Sequence, residues 1–516
     1  MDILIVTCYF ALVMFIALKG KQGKEATIDD YFLGSRNLKW YSIAFSTIAT
    51  NIHGYQFLGM MGSAYLFGLA QANFEINAIQ GLLMAAFIFV PLYLKDKVVT
   101  ISQFIKNKLG KTVSLTYSIA NIIMFAFLGI GIALMWGAYV AELVFKEELL
   151  FLSEDRLTRL VILILFLGVF SAVYTYFGGL AAVVKTDIIQ FLILTLGGVI
   201  ILMVSINKLG GFDQLYVKTP ELMHLHLPAD HPQLPWIGML GLFFLNINYW
   251  CANQAVIQRS LAARSLKDAQ TGLMVGGVMK YVMALIVIVP GIALAGILGP
   301  EALANEPDQA FSYIITHFLP TGLRGILLCA IFASLMSTID SVFNSLATLF
   351  SIDIYKGILR KEATDQEVVN AGRKTILAGL VTGITTAIFL ISYKISNAES
   401  AFTHALNDLR YIFNTGFVVI ICVAALLLFP KRKLAFWGFV ATLPINLLSR
   451  WLFPDMNYLV RALLIIVTAF LIVAIPTISS NGLKPWKEFI QFGDGKTKWY
   501  GFGLLVSLVI CHIIWH

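Results

Sequence analysis

Long apolar runs alternate with short polar connections along the whole chain. Each run approaches the roughly 20 residues that a helix needs to cross the hydrocarbon core of a bilayer. A mixed stretch near residues 300–320 predicts a loop with a short helix. The pattern therefore predicts an all-α integral membrane protein with about 14 transmembrane helices. The runs cover residues 3–19, 39–68, 72–95, 113–145, 157–175, 180–205, 235–258, 271–298, 322–354, 372–393, 400–429, 434–450, 459–477 and 499–515.

Composition supports the membrane assignment. Hydrophobic residues make up 59% of the 516 positions, and charged residues only 13%. A soluble domain carries about 25% charged residues, and a soluble chain of this length usually divides into domains joined by polar linkers. No such linkers are visible in this sequence. The five cysteines are scattered within apolar runs, which indicates packing thiols and neither a disulfide framework nor a metal site.

The net charge of +8 is a topology signal, because Lys and Arg are concentrated in alternate loops. Cytoplasmic loops carry such an excess, so we expect both termini outside the cell and no nucleic-acid partner. The first run, 3–19, lacks a basic start, which favours a retained helix over a signal peptide. No N-x-[ST] acceptor occurs, as expected for a bacterial inner membrane. The basic positions lie in 19–39, 95–111, 259–267, 356–374, 431–433 and 484–498, with Lys185.

Two of the apolar runs are interrupted by polar residues and glycine. Residues 49–62 contain Asn51, Gln56 and Gly59, and the segment "NINYWCANQ", 246–254, crowds amide side chains into a second run. Irregular backbone at membrane depth is tolerated only against protein or a water-filled cavity. Two interrupted helices in corresponding halves are typical of transporters with inverted repeats and a binding site at the midplane. The alternative is two helices with polar packing contacts, which are common.

A stripe of hydroxyl side chains follows in "SLMSTIDSVFNS", residues 334–345. At about 100° per residue, its five members fall within about 100° of one another on a helix. Such hydroxyl groups supply the oxygen ligands that a hard cation such as Na⁺ requires. They also bond back to helix carbonyl groups or permit close packing. The stripe consists of Ser334, Ser337, Thr338, Ser341 and Ser345.

A few charged residues fall within the apolar runs, where a charge is expensive and usually functional. Those singled out as candidates are Glu75, Asp187, Lys280, Asp340 and Arg410. Glu75 and Lys280 permit two interpretations: a structural ion pair, or ligands for sugar hydroxyl groups, since a carboxylate accepts and an ammonium donates hydrogen bonds.

Four segments resemble the sodium/solute symporter family. They are "DDYFLGSRNLKWYSIAFSTIATNI" (29–52), "YTYFGGLAAVVKTDIIQ" (174–190), "NQAVIQRSLAARSLKDAQTG" (253–272) and "STIDSVFNSLATLFSIDIY" (337–355). The match runs in consistent order from about residue 28 to 430. Within the family the chain is most similar to the sodium/glucose and sodium/galactose branch, on the evidence of Asn51, Gln56, "FE" at 74–75, "NYW" at 248–250 and Lys280.

The resemblance implies a LeuT-type fold, alternating access and a division of the chain into three parts. An N-terminal helix and cytoplasmic loop (1–28) precede the transporter core (29–430), and three helices (431–516) follow it. Within the core, one five-helix repeat covers about 39–205 and its inverted counterpart about 235–429.

The resemblance also implies specific site residues. Sugar contacts are expected from Asn51, Gln56, Glu75, Asn246, Trp250 and Lys280, with Tyr249 as an aromatic inner gate. A sodium site is expected from the backbone carbonyl groups of Ala49, Ile52 and Ser334 and the hydroxyl groups of Ser337 and Thr338. Asp187, Asp340 and Ser341 are expected to form a second cation site.

The chain departs from the sugar-transporter pattern in the helix that normally supplies a glutamine to the sugar. Within "AFTHALNDLRYIFNTG", 401–416, counting from the start places Asn407 at that position, and counting back from the end places Arg410 there. An arginine would suit a carboxylate substrate. Asp340 also departs from the pattern, since it replaces a small hydroxyl residue.

The sequence therefore predicts a sodium-coupled symporter in the bilayer that imports a monosaccharide or polyol of the glucose, galactose or inositol type. One alternative is a sodium symporter for a small carboxylate or amino acid, which Arg410 favours. Another is a membrane sensor that binds a solute without transporting it. An enzyme is not expected, because no nucleophile–base pairing of the kind that hydrolysis requires is evident.

Overall fold

The structure, a computed structural model, describes residues 1–19, 26–52, 56–320, 322–396 and 402–516, with side chains throughout except those of 402–408. Helices provide the regular structure of these ranges, as the apolar pattern predicts. The first ten are α1 (Asp2–Leu18), α2 (Ile28–Leu33), α3 (Trp40–Asn51), α4 (Met61–Phe67), α5 (Asn73–Ile76), α6 (Ala78–Met84), α7 (Val90–Lys95), α8 (Ile101–Leu109), α9 (Lys111–Ile123) and α10 (Ile130–Val144).

The remaining helices include the longest of the fold. They are α11 (Arg156–Leu209), α12 (Asp213–Lys218), α13 (Gly238–Ile247), α14 (Gln254–Leu261), α15 (Leu266–Leu298), α16 (Gln309–Phe318), α17 (Leu323–Leu349), α18 (Asp365–Ser396), α19 (Phe402–Leu426), α20 (Arg432–Val440), α21 (Thr442–Leu452), α22 (Tyr458–Asn481) and α23 (Gly495–Ile514). Helical stretches of π type continue several of them, at Gln56–Met60, Ala85–Phe89, Met124–Gly129, Asn248–Ala252 and Phe350–Leu359.

Within the described ranges, nine helical stretches are long and apolar enough to cross a membrane. One of them, α11, covers two of the predicted runs, 157–175 and 180–205, and is divided by a kink at Gly179, whose φ is 53°. A Cβ atom at Gly179 would collide with the carbonyl oxygen of Tyr31, so the kink requires glycine there. The short helix predicted near 300–320 corresponds to α16.

The prediction that residues 434–450 form a single helix is wrong. This run consists of α20 and α21, which meet at Ala441. Pro444 explains the break, because it has no N–H to donate to the carbonyl group of Val440. At the same break, the hydroxyl group of Thr442 donates to the carbonyl oxygen of Phe439, at 2.6 Å.

Both predicted interruptions are present. Helix α3 ends at Asn51, Ile52 is extended with ψ 115°, and helical structure is described again from Gln56; residues 53–55 of the predicted interruption lie outside the described ranges. In the second run, the π-helical end of α13 stops at Asn253, which is extended with ψ 114° and caps α14. These interruptions free backbone groups of α3 and α13 in the middle of the bundle.

The interrupted helices are held by the long ones. Helix α15 packs along α3 and α11, and α11 packs along α17. Helix α13 packs against α22, while α19 contacts α20, α21 and α22. The ends of α3 and α13 therefore meet the middle of α17 inside the protein, away from the surface that faces lipid.

Candidate functional site

A cavity of about 190 Å³ lies where the interrupted helices meet. Pockets for drug-sized ligands have volumes of roughly 300–1,000 Å³, so this cavity suits a small solute. Its lining is rich in amide side chains, which both donate and accept hydrogen bonds. The lining residues with a nitrogen or oxygen atom in the side chain are Thr50, Asn51, Gln56, Glu75, Asn121, Asn246, Asn248, Tyr249, Trp250, Asn253, Thr338, Arg410, Tyr411 and Asn414.

Asn51, the last residue of α3, connects three parts of the cavity wall. Its side-chain amide donates to the Tyr249 hydroxyl group at 3.1 Å, and the Lys280 ammonium donates to its side-chain oxygen. The Gln56 side chain donates to the Asn51 carbonyl oxygen at 2.8 Å, a group that the end of α3 leaves without a helical partner. Tyr249, the predicted gate, is thus joined directly to the interrupted helix.

Glu75 and Lys280 form an ion pair at the wall of the cavity. The Lys280 Nζ atom lies 2.5 Å from Glu75 Oε2, and both side chains are buried. The same ammonium lies 5.2 Å from the centre of the Trp250 ring, within the range of a cation–π interaction. The two interpretations of these residues are therefore compatible, because Glu75 is paired with Lys280 and also lines the cavity.

Asn246 approaches the cavity from α13. Its side-chain amide donates to the carbonyl oxygen of Asn77, at 3.1 Å. This bond ties α13 to the segment that carries Glu75, so that the two walls of the cavity are joined. The structure thus brings together all six of the residues expected to contact sugar, with Lys280 behind Asn51 and Glu75.

The region predicted to hold sodium lies next to the end of α3. The Ser334 hydroxyl group donates to the Ile52 carbonyl oxygen at 2.7 Å, and the Thr338 hydroxyl group donates to the Ser334 carbonyl oxygen at 3.1 Å. Ala49 is buried one turn earlier in α3. Oxygen atoms of α3 and α17 therefore face each other, which is the ligand type that a hard cation prefers.

Ser337 makes a different contact from its neighbours in the stripe. Its hydroxyl group donates to Asp187 Oδ1 at 2.5 Å, and Ser46 of α3 donates to Oδ2 of the same carboxylate. Asp187 belongs to α11, so this carboxylate joins α3, α11 and α17. Among the described residues, no cluster of three or more His, Cys, Asp or Glu side chains could hold a metal ion.

Arg259 corrects the prediction for the start of the segment 259–267, which the sequence predicts to be a cytoplasmic loop. It belongs to α14 and its side chain is fully buried, with Nη2 3.2 Å from Asp187 Oδ2. The guanidinium also donates to the hydroxyl groups of Ser46, at 2.9 Å, and Ser341. The apolar run 235–258 ends one residue before Arg259, but α14 continues beyond it and packs against α3, so hydropathy alone misplaced this charge.

Asp340 is buried near this network but has a different partner. Tyr174 of α11 donates a hydrogen bond to its Oδ2 atom. Its other carboxylate oxygen, Oδ1, has no hydrogen-bond partner in the described part of the chain. Ser341 donates to the Ser337 carbonyl oxygen at 2.6 Å and contacts the Thr50 hydroxyl group at 2.9 Å.

Helix α19 carries both residues that the sequence offers for the sugar-contacting position, Asn407 and Arg410. It contributes Arg410 to the cavity. Asn407 lies on the same helix, but its side chain is outside the described part of the structure. Sequence reasoning missed Asn121, Tyr411 and Asn414 as lining residues. Asn121 had a visible signal, since it is an isolated amide inside the apolar run 113–145.

A bundle of membrane helices in which two interrupted helices meet at a polar cavity defines a solute transporter. The chain belongs to the sodium:solute symporter family, whose sequence model matches residues 31–407. It is therefore a membrane transporter of a family that uses Na⁺ as the coupling ion, and its relatives are cotransporters rather than enzymes.

Individual relatives agree with this assignment. The chain is 30% identical to a sodium/glucose cotransporter of Vibrio parahaemolyticus, over 93% of this chain and 90% of the relative. It is 28% identical to a mouse sodium/myo-inositol cotransporter, over 72% of this chain and 56% of the relative. The predicted family and branch resemblance are confirmed.

The fold matches a solved structure of a Na⁺-coupled sialic acid symporter in a substrate-bound outward-open state. The TM-score is 0.78 at 18% sequence identity, and the match covers 94% of this chain and 98% of that chain. This likeness confirms the predicted all-α, LeuT-type architecture.

Proposed function

We propose that the protein imports a monosaccharide or polyol together with Na⁺ by alternating access. The observation that carries this proposal is the polar cavity at Asn51, in which the Glu75–Lys280 pair lies beside several amide side chains. Such a set offers donors and acceptors on several sides, as the hydroxyl groups of a sugar require. The names of the sodium/glucose and sodium/myo-inositol relatives support the same solute class.

Solute and cation would be coupled through the end of α3. Asn51 faces the cavity, while the next residue, Ile52, offers its carbonyl oxygen to Ser334 of α17. In the proposed cycle, Na⁺ binds the carbonyl oxygens of Ala49, Ile52 and Ser334 and the hydroxyl groups of Ser337 and Thr338. That binding fixes the end of α3 and orders Asn51 for the solute. Movement of Tyr249 then opens the route inward.

Thr338→Ala tests the coupling. Removing one oxygen ligand should raise the sodium concentration for half-maximal uptake roughly tenfold, equivalent to about 1.4 kcal/mol. Uptake would be measured in proteoliposomes at varied sodium, with a screen of sugars, inositols and organic acids. Thr477→Ala is the matched control, because its buried hydroxyl group donates to the Val473 carbonyl oxygen in α22, away from α3. Unchanged sodium half-saturation in Thr338→Ala would exclude this site.

We further propose a second cation site at Asp187, Asp340 and Ser341. The Asp340 Oδ1 atom without a described partner, and the Ser337 hydroxyl group that bridges to Asp187, support it. The Arg259 guanidinium would neutralise the Asp187 carboxylate when no second cation is bound.

The sodium dependence of the reversal potential in proteoliposomes tests this second site. Two coupled cations are expected per solute in the wild type and one in Asp340→Asn, with uptake retained. Asp230→Asn, in an exposed loop, serves as the control. One coupled cation in both the wild type and Asp340→Asn would leave Asp340 a structural residue.

We propose a bacterial inner membrane as the location, with both termini outside. Two contacts support this orientation: the backbone N–H of Gly322 donates to Asp2 at 2.7 Å, and that of Leu225 donates to the Trp515 carbonyl oxygen at 2.7 Å. Each terminus thus meets a loop predicted to be external. On the other side, Lys267 pairs with Asp494 at 2.8 Å, which joins two loops predicted to be cytoplasmic.

The division of the chain into 1–28, 29–430 and 431–516, with repeats at about 39–205 and 235–429, is part of the same proposal. It is supported by the interruptions of α3 and of α13–α14, which fall in the first predicted helix of each repeat.

A further inference from the structure

Arg410 places a positive charge at the cavity wall. It lies on α19 and lines the cavity together with Tyr249 and Tyr411, whose hydroxyl groups are the titratable groups that influence it electrostatically. Among the described side chains, no carboxylate forms an ion pair with its guanidinium. The Arg410 side chain is half-buried, and a cation at membrane depth is costly unless an anion or several hydrogen-bond acceptors compensate it.

The other charges near the cavity already have partners. Glu75 is paired with Lys280 at 2.5 Å, and Asp187 with Arg259 at 3.2 Å. Asp340 accepts a hydrogen bond from Tyr174 and is not among the lining residues. When Lys280 is counted with its partner Glu75, the described charges at the cavity wall sum to one positive charge, that of Arg410. A solute in the cavity is placed to balance this charge.

The chemistry of this wall identifies the class of group that would balance it. A guanidinium presents a planar fork of N–H donors that matches the two oxygens of a carboxylate. Other lining residues, Asn51, Gln56, Glu75 and Asn246, suit hydroxyl groups. A small solute that satisfies Arg410 and these polar residues carries several hydroxyl groups and one carboxylate.

We propose that the transported solute is a monosaccharide acid, such as a hexuronate or an aldonate, whose carboxylate binds Arg410. This inference rests on the proposed function and specifies its substrate. Arg410 is then the residue that determines specificity between acidic and neutral sugars. The solute contributes one negative charge, so each acid molecule moves one positive charge fewer across the membrane than a neutral sugar carried with the same number of sodium ions.

Sodium-driven uptake into proteoliposomes tests the proposal with matched pairs: glucose against glucuronate, and galactose against galacturonate. The wild type should prefer the acids. Arg410→Gln keeps hydrogen-bonding capacity but removes the charge, and should lower the ratio of acid uptake to neutral-sugar uptake by roughly 10- to 100-fold. Arg410→Lys keeps the positive charge without the planar set of N–H donors, so its acid uptake should lie between those of the wild type and Arg410→Gln. Glucose 6-phosphate is included as an anion without a carboxylate.

The current per solute gives a second, independent readout, because it should be lower by one charge for galacturonate than for galactose. The inference would be overturned if the wild type takes up neutral sugars as well as or better than the acids, and the ratio of acid uptake to neutral-sugar uptake is the same in Arg410→Lys. That result would leave the proposed function intact. Preference for glucose 6-phosphate would also overturn it. Failure of every sugar, acidic or neutral, to give sodium-dependent uptake would instead overturn the proposed function itself.

Discussion

Lys280→Met is expected to abolish solute uptake and to destabilise the protein strongly. The substitution leaves the Glu75 carboxylate buried without its partner, and Asn51 loses the ammonium that holds its side-chain oxygen. Breaking a buried ion pair by removing one partner costs about 3–5 kcal/mol. Thermal unfolding in detergent measures the stability, and sodium-driven uptake in proteoliposomes measures the function.

A double variant separates the structural role of this pair from its role in binding. Glu75→Gln combined with Lys280→Met removes both charges, so stability should largely return while uptake remains absent. Arg360→Ala is the control, because it breaks the exposed pair with Glu367, and such surface pairs contribute only about 0–1 kcal/mol. Uptake at the wild-type rate in the double variant would mean that the pair only holds the fold.

Arg259→Met should be the second most damaging single substitution. It leaves Asp187 fully buried beside Ser46 and Ser337 with no described cationic partner, which again costs about 3–5 kcal/mol. Asp187→Asn in the same chain should restore most of the stability. Because Asp187 borders the proposed sodium site, Arg259→Met should also be stabilised by sodium over choline more strongly than the wild type.

The sodium effect discriminates between two explanations of Arg259. If the arginine only fills space at the end of α14, then Asp187→Asn will fail to rescue Arg259→Met, and sodium will stabilise both proteins equally. If the arginine balances Asp187, rescue and sodium sensitivity will appear together. Unfolding temperatures measured in matched sodium and choline solutions, for the single and double variants, provide both comparisons.

The two predictions concern neighbouring parts of one mechanism. Lys280 donates to Asn51 beside the proposed solute site, and Arg259 donates to Ser46 one and a half turns earlier, beside the proposed cation sites. A short segment of α3 thus connects both proposed sites, and we expect a change in either one to alter the same backbone. This arrangement gives a physical route for the reciprocal coupling that symport requires.

The sequence by itself determined the class of protein and the places where its helices are interrupted. Lipid penalises a polar group whatever its eventual partner, so Asn51, Gln56 and the amides of 246–254 were conspicuous without any tertiary information. The hydroxyl stripe of 334–345 was visible for a similar reason, because helical periodicity alone places its members on one face.

Only the tertiary structure decided which polar groups meet. The Glu75–Lys280 contact joins residues 205 positions apart, and the Asp187–Arg259 contact joins residues 72 positions apart. No local pattern encodes such pairings, since they depend on how α3, α11, α14 and α15 pack. Hydropathy therefore assigned Arg259 to a loop, although the amphipathic end of α14 buries it. The same packing brings Arg410 to the cavity wall, because the neighbours of a side chain depend on the assembled bundle.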